Sequence, residues 1–455
     1  MFETLRIQNF KGWRDTGSIR MAPITLFFGT NSSGKSSIGH FLMMLKQTVE
    51  SQDRKAVFYT GGRNSAVQLG SYQDMVYQHN KDNKISFEYK WRLWDTLTIK
   101  DPISEKQFRG NGMYFKSEVK LNKENNLGVV NNFSYVLSNE GNYSLSVSID
   151  SKKESYSMTS DKYDLKRRQM RAWSLKDVVR FYGFPDEAVA YYQNADFLQL
   201  LNWEHEKLFR SIYYLGPLRT KAERLYTWGG ITPESVGFFG EYAVAAILAA
   251  KERKISLGNK KRYRSFEEII AFQLREMGLV KEFKVRPISE QRQDYEVKVR
   301  TEGAGGIVDL PDVGIGISQV LPVLTQCFYA PSGAVIIMEQ PEIHLHPSAQ
   351  SALADVMIDV INSKENGVDR NIQLIIETHS EHFLRRLQRR IAEDIISKDK
   401  VAAYFADVTG QSAALRELEI DLYGNIINWP ENFFGDEMGD VIGQSKAALK
   451  KRMDT

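Results

Sequence analysis

Ile24-Thr25-Leu26-Phe27-Phe28 is an apolar run that leads straight into Gly29-Thr30-Asn31-Ser32-Ser33-Gly34-Lys35-Ser36-Ser37, and residues 38–45 beyond it carry a helical pattern. The spacing is that of a phosphate-binding loop between a strand and a helix. Gly29 and Gly34 let backbone N–H groups of Asn31, Ser32 and Ser33 turn inward around phosphates. Lys35 reaches the β- and γ-phosphates, and the hydroxyl of Ser36 ligates Mg²⁺, with Ser37 beside it. A chance match to this spacing is expected in about one or two chains per hundred of this length, and the flanking strand and helix lower that figure. The loop therefore predicts binding of ATP or GTP.

The chain has 455 residues, 42% hydrophobic and 11% aromatic, enough for one large core and a second lobe. Lys and Arg number 60 against 57 Asp and Glu, so a net charge of +3 does not announce a nucleic-acid partner. The one cysteine, Cys327, excludes an internal disulfide and fits a buried thiol in a reducing compartment. No apolar run reaches the roughly 18 residues of a membrane span, and the N-terminus lacks a signal-peptide pattern. A cytoplasmic protein without membrane contact is expected.

Outward from the loop, residues 2–7 and 19 read as short strands. Residues 85–91, 113–120, 133–137 and 143–149 read as strands separated by turns rich in Asn, Gly and Lys, predicting an inserted β-rich lobe. Residues 174–209 and 241–251 read as helical, 212–215 as a strand, and 281–301 as alternating strand. No heptad pattern persists, so no long coiled-coil arm is expected.

The second half supplies further parts of a nucleotide machine. Ala334-Val335-Ile336-Ile337-Met338-Glu339 is a buried strand ending in an acid, the place for a carboxylate that holds the Mg²⁺ shell, and Gln340-Pro341-Glu342 follows. Leu374-Ile375-Ile376-Glu377 is another parallel-sheet strand, with Thr378-His379-Ser380 at its carboxyl end, where His379 can contact a γ-phosphate or position water. Gly314-Ile315-Gly316-Ile317-Ser318-Gln319 places glycines, a hydroxyl and a helix start together as a second anion site. Lys35 already serves one phosphate group, so the spare site predicts a dimer in which Gly316, Ser318 and Gln319 reach the partner's nucleotide.

Taken together, residues 29–36, 314–319, 339–347 and 377–380 resemble the motifs of ABC-type ATPases of the SMC/OLD (overcoming lysogenization defect) superfamily. Tyr214-Leu215-Gly216-Pro217-Leu218-Arg219, Leu422-Tyr423-Gly424-Asn425 and Trp429-Pro430 resemble the predicted prokaryotic AAA-family ATPases of that group that lack a Toprim domain. The resemblance implies an α/β fold: an ABC/SMC-type P-loop ATPase head with an inserted β-rich and helical lobe. Its N-terminal half would span residues 1–80, the lobe 81–300, the C-terminal half 301–425 and a tail 426–455. Lys35 and Ser36 would bind phosphate and Mg²⁺, Glu339 would be the metal-side acid, Ser318 the signature hydroxyl acting in trans, and His379 the switch histidine. A metal-site glutamine is usual, with Gln73 the candidate and Gln68 the alternative.

In the resemblance, the position after the metal-side acid is the general base, and here it is Gln340. An amide cannot accept a proton from water. Either Glu342 serves instead, or hydrolysis is slow and the ATP-held dimer acts as a lock. His344 and His346 lack a third ligand at metal spacing and fit packing near the nucleotide. Basic clusters at 166–171, 251–254, 260–264 and 385–390 are candidate DNA- or RNA-facing surfaces, although most charge runs are solvated faces. No Toprim nuclease pattern follows residue 400, and residues 446–452 read as a basic amphipathic end for a partner. The expectation is an ATPase sensor and switch, a dimer or higher oligomer controlling a separate effector, a Toprim- or HNH-type nuclease, in antiphage defence. A DNA-clamping repair or chromosome-associated ATPase and a non-hydrolysing ATP-bound scaffold are the alternatives.

Overall fold

The computed structural model describes the 455 residues apart from 153–154, 170–173, 290–291, 302–305, 431–432, 434–436 and 454–455. A parallel sheet holds the phosphate loop. Its described strands run in the order Ile212–Leu215, Val335–Glu339, Gln373–Glu377, Ile24–Gly29, Val401–Thr409, with Ser412–Glu417 closing one edge as an antiparallel hairpin partner. Continuous apolar runs form these strands because both faces are covered, so no polar alternation is required.

Alternate residues of each strand feed two cores. Phe27, Ile337 and Ile375 share one core with Phe41, Leu42 and Leu45 of the helix Lys35–Glu50 and with Phe87 and Tyr89 of a second sheet. Leu26, Phe28, Ile336, Met338, Leu374 and Ile376 face the other way, against Leu324, Leu353 and Leu384 from the helices Ile315–Tyr329, Pro347–Asn362 and Glu381–Ala392. The result is an α/β P-loop head with helices on both faces.

The second sheet is antiparallel and forms the inserted β-rich lobe. Among its described strands the order is Trp13–Asp15, Phe2–Phe10, Ile85–Lys100, Gln107–Leu121, Gly128–Asn139, Asn142–Ser151 and Tyr156–Asp161. The N-terminal strand Phe2–Phe10 thus pairs with the lobe and joins it to the head. Ile212–Leu215, although it follows the lobe in sequence, lies at the edge of the parallel sheet. No coiled-coil arm is present among the described residues, whose longest helices have 16 or 17 residues.

Of the stretch 174–209, expected to be helical, Glu187–Tyr191 and Phe197–Arg210 are helices, and residues 174–186 are not. Upstream, Val179 and Gly183 exchange backbone hydrogen bonds in a tight turn, and Phe181, Tyr182 and Phe184 insert into the lobe's aromatic core. Pro185 cannot donate a helical hydrogen bond, and the aromatic burial outweighs the local helical pattern. The stretch 281–301 is a hairpin of Glu282–Pro287 with Asp294–Arg300. The expected helix over 241–251 is Ala243–Ala249.

Candidate functional site

The phosphate loop is shaped by what surrounds it. Gly29 sits at φ 143°, and a Cβ there would lie 2.0 Å from the carbonyl oxygen of Ala406 on the neighbouring strand, so only glycine fits. Gly34 at φ 88° turns the chain into the helix Lys35–Glu50, and its carbonyl accepts a 3.0 Å hydrogen bond from Trp13 Nε1. Ser32 also takes a left-handed backbone, φ 61°. Asn31 and Ser32 are exposed at the tip, whereas Ser33 is buried.

The loop's polar atoms are only partly satisfied from within. The ammonium of Lys35 donates to the carbonyls of Thr30 at 2.6 Å and Gly29 at 3.1 Å, both on its own loop. Burial lowers its pKa, with Glu377 opposing. The hydroxyl of Ser33, 1% exposed, has no partner. A folded-in ammonium, an orphaned buried hydroxyl and inward-turned glycines fit a polyphosphate with its Mg²⁺.

Opposite the loop, the strand Val335–Glu339 delivers Glu339, whose Oε1 accepts a 2.8 Å hydrogen bond from the Tyr214 hydroxyl and lies 3.0 Å from His40 Nε2. Burial and the facing Glu339 hold the Tyr214 hydroxyl well above the usual phenol range, so it stays a donor. His40 lies one helical turn beyond Ser36, on the same face of the loop helix. Gln340 takes a left-handed backbone, φ 45°, and its N–H donates 2.8 Å to the carbonyl of Glu377. Arg219 donates to the carbonyls of Glu339 at 3.1 Å and Gln340 at 3.4 Å. Burial lowers its pKa to about 10, which leaves it cationic at neutral pH, and the nearby Glu342 opposes that shift.

Glu342 is 6% exposed. Its Oε1 accepts a 2.8 Å bond from the backbone N–H of His379, and its Oε2 is buried without a partner. Burial raises its pKa. His379 is exposed at the surface, and partial desolvation by its neighbours, followed by the charge of Lys35, lowers its pKa, which keeps it neutral at physiological pH.

Lys35, Ser36, Glu339, Gln340, Glu342 and His379 therefore converge at the carboxyl end of the parallel sheet. Other expected residues lie apart from them. Ser318 donates 2.8 Å to Ile315 within the first turn of its own helix. Gly316 packs so closely on the carbonyl of His344 that a Cβ would lie 2.9 Å from it, and Gln319 is buried. Among the described contacts, none joins these three to the phosphate loop. Gln73 is exposed, and its carbonyl accepts from His79 Nδ1 at 2.8 Å; Gln68 donates 3.3 Å to the carbonyl of Arg63. Neither side chain has a described contact with Ser36 or Glu339. His346 caps the helix Pro347–Asn362, its Nδ1 accepting from the N–H of Ser348 at 3.4 Å.

The cluster 385–390 is paired with acids throughout, and the other basic clusters are paired in part. Arg385 lies 3.2 Å from Glu381, Arg389 2.6 Å from Glu393 and Arg390 2.6 Å from Asp355. Arg253 lies 2.8 Å from Glu365 and Lys261 3.3 Å from Asp359, while Lys166 pairs with Asp164. Met170 and Arg171, part of the first expected surface at 166–171, lie outside the described residues.

Sequence reading missed His40 as a site residue, and it took Tyr214, Arg219 and Glu377 only as parts of motifs. The helical spacing from Ser36 to His40 was an available signal. For Glu377 the signal was the parallel between Glu339 and Glu377, each ending a buried apolar strand.

Comparisons with known proteins bear on this site. Residues 1–210 match the family described as "AAA ATPase domain", and residues 235–385 match "AAA domain, putative AbiEii toxin, Type IV TA system". Residues 396–442 match a family described as a protein of unknown function, DUF3696. No curated protein matches the sequence. Among solved structures, the chain is similar to an SMC head bound to the C-terminal winged-helix domain of ScpA, at 11% identity and a TM-score of 0.45, over 92% of this chain and 98% of that one. It is also similar to the SMC head domain from Thermotoga maritima, at 9% identity and a TM-score of 0.40, over 92% and 99% of the two chains. The SMC head with an extended coiled coil from Pyrococcus furiosus, bound to the C-terminal domain of ScpA, matches at 11% identity and a TM-score of 0.41, over 92% and 96%.

Proposed function

We infer that this chain, a P-loop ATPase by its phosphate loop, its strand order and the ATPase-domain families it matches, binds ATP with Mg²⁺ and works as a nucleotide-controlled switch. The observation that carries the reading is the convergence of Lys35 and Ser36 with Glu339, Glu342 and His379 at one end of the parallel sheet. Lys35 exchanges its bonds to Gly29 and Thr30 for phosphate oxygens, and the N–H groups of the loop complete the cradle. Mg²⁺ held at Ser36 and the facing carboxylates would supply charge neutralisation to the phosphates. Gln340 cannot take the proton of the attacking water, so Glu342 is the available carboxylate, held by the N–H of His379 with one oxygen free. Neutral His379 orients the water or the γ-phosphate.

Ser318 and Gly316, apart from the loop of their own chain, act on the nucleotide of a second copy, so that ATP closes a dimer. In this reading the dimer is the signal, and a separate effector receives it. One matched family is described by a toxin of a toxin–antitoxin system, which is in keeping with a role in antiphage defence, while a nuclease of Toprim or HNH type as effector rests on the sequence resemblance alone. The acid partners of the cluster 385–390 favour a protein effector over direct clamping of DNA at that helix.

The test is steady-state ATP hydrolysis alongside ATP-dependent dimerisation, measured on wild type, Lys35→Ala, Glu342→Gln and Gln340→Glu. Turnover lost in both Lys35→Ala and Glu342→Gln establishes an ATPase with a displaced base. Absent wild-type turnover, with ATP-dependent dimers and activity gained in Gln340→Glu, establishes a lock. Absent nucleotide binding overturns the reading.

A further inference from the structure

The sequence pattern gives the metal-side role to Glu339, yet the sheet brings another acid nearer to the loop. The strand Gln373–Glu377 lies between Val335–Glu339 and Ile24–Gly29, with Glu377 in register with Glu339 on one side and Phe27 on the other. Strands are spaced about 4.8 Å apart, so Glu339 stands one strand further from the phosphate strand than Glu377 does. Side chains alternate along a strand, and Ile337 and Ile375, two residues before each acid, pack into the core under the loop helix. Glu339 and Glu377 therefore point to the same face, beneath the helix that starts at Lys35 and Ser36.

Their partners differ. Glu339 is occupied by Tyr214 and His40 through its Oε1. Glu377 has a buried Oε2 with no partner, and its surroundings are the Ser36 hydroxyl, Lys35, His40 and Glu339. Two carboxylates facing each other across adjacent strands repel, and a divalent cation between them and the phosphates relieves that repulsion.

We propose that Glu377 is the acid that, with Ser36, serves the Mg²⁺ end of the nucleotide site, while Glu339 is held back by Tyr214 and His40 as a supporting carboxylate. This rests on the nucleotide-site reading above. Glu377 accepts hydrogen bonds from the ion's water shell or ligates it directly, and its place beside the loop lets it do so without moving the neighbouring strand.

The test is the affinity of the full chain for a fluorescent ATP analogue in Mg²⁺ and in EDTA, with Mn²⁺ binding followed by electron paramagnetic resonance. Wild type binds more tightly with Mg²⁺. Glu377→Gln loses about 10- to 100-fold of that gain and of Mn²⁺ affinity, with affinity in EDTA unchanged, whereas Glu339→Gln loses a smaller part. Because Glu377→Gln removes a like charge facing Glu339, its ligand-free melting temperature equals or exceeds that of wild type, which separates the expected result from misfolding. Glu377→Asp, keeping the charge on a shorter arm, retains part of the Mg²⁺ gain and serves if the amide variant does not fold. A full Mg²⁺ gain in Glu377→Gln, with the gain abolished in Glu339→Gln, overturns the proposal and leaves the nucleotide site standing. Wild type that binds no nucleotide in either buffer overturns both.

Discussion

Gly29 shows how one residue joins fold to site. Its φ of 143° and the carbonyl of Ala406, 2.0 Å from where a Cβ would be, make Gly29→Ala both strained and overcrowded. The expected cost is about 2 kcal/mol or more, read as a lower urea midpoint; an unchanged midpoint would show that the strand Val401–Thr409 yields at no cost. Tyr214 offers a subtler case. Tyr214→Phe removes the donor that holds Glu339, at a cost of about 1 kcal/mol, and leaves His40 as the remaining described partner of that carboxylate. Lys35, Ser36, Glu339, Glu342 and His379 were legible because backbone chemistry confines them to short, ordered motifs. Tyr214 and Arg219 were not, because each reaches the site across the chain: Tyr214 lies 125 residues from its partner Glu339.

At the scale of elements, two buried polar groups anchor pieces of the fold. Arg370, fully buried, donates to the carbonyls of Cys327 at 3.3 Å and Phe328 at 3.0 Å, and to Ala330, at the carboxyl end of the helix that begins with the Ser318 segment. Arg370→Met leaves those carbonyls unpaired in a dry core, with an expected loss of about 3–5 kcal/mol in chemical denaturation; a loss under about 1 kcal/mol would mean that the helix end closes by itself. In the lobe, His205 of the helix Phe197–Arg210 is fully buried. Its Nε2 lies 2.8 Å from the Tyr89 hydroxyl and its Nδ1 2.7 Å from that of Tyr135. Tyr135 donates its proton to the carbonyl of Tyr182, so it accepts from Nδ1–H, and Tyr89 donates to Nε2. Burial holds the His205 pKa well below the ordinary 6.5. Below pH 6.5 the unfolded chain takes up a proton that the folded chain does not, so stability falls with pH from there down to the folded pKa, by up to about 1.4 kcal/mol per unit. Urea midpoints at pH 7 and 5.5 test this, with His205→Phe expected to be less stable overall but to lose this part of the slope.

For the whole molecule, the decisive question is whether ATP joins two copies. Ser318→Arg places a bulky cation at the start of the helix Ile315–Tyr329, away from the described contacts of the phosphate loop. Light scattering is expected to find an ATP-dependent dimer for wild type and a monomer for Ser318→Arg, with ATP binding by the variant retained. Lost nucleotide binding in that variant would place Ser318 in its own chain's site instead. Because Arg385, Arg389 and Arg390 are paired with acids, the chain alone is expected to bind duplex DNA no more tightly than the non-specific range of about 10⁻⁴ to 10⁻⁶ M at physiological salt. Tighter, salt-sensitive binding would favour a DNA clamp.

The sequence by itself determined the phosphate loop, the buried parallel strands and the β-rich lobe, because loop chemistry and hydrophobic periodicity are local properties. It misread 174–186, where a local helical pattern lost to long-range aromatic packing of Phe181 and Tyr182 against His205 of the helix Phe197–Arg210. Only the tertiary structure decided which strand stands next to the loop, since strand order is a matter of crossovers that no local pattern records. That order, Gln373–Glu377 between the phosphate strand and Val335–Glu339, is what sets Glu377 beside Ser36 and ties Glu339 to Tyr214 and His40.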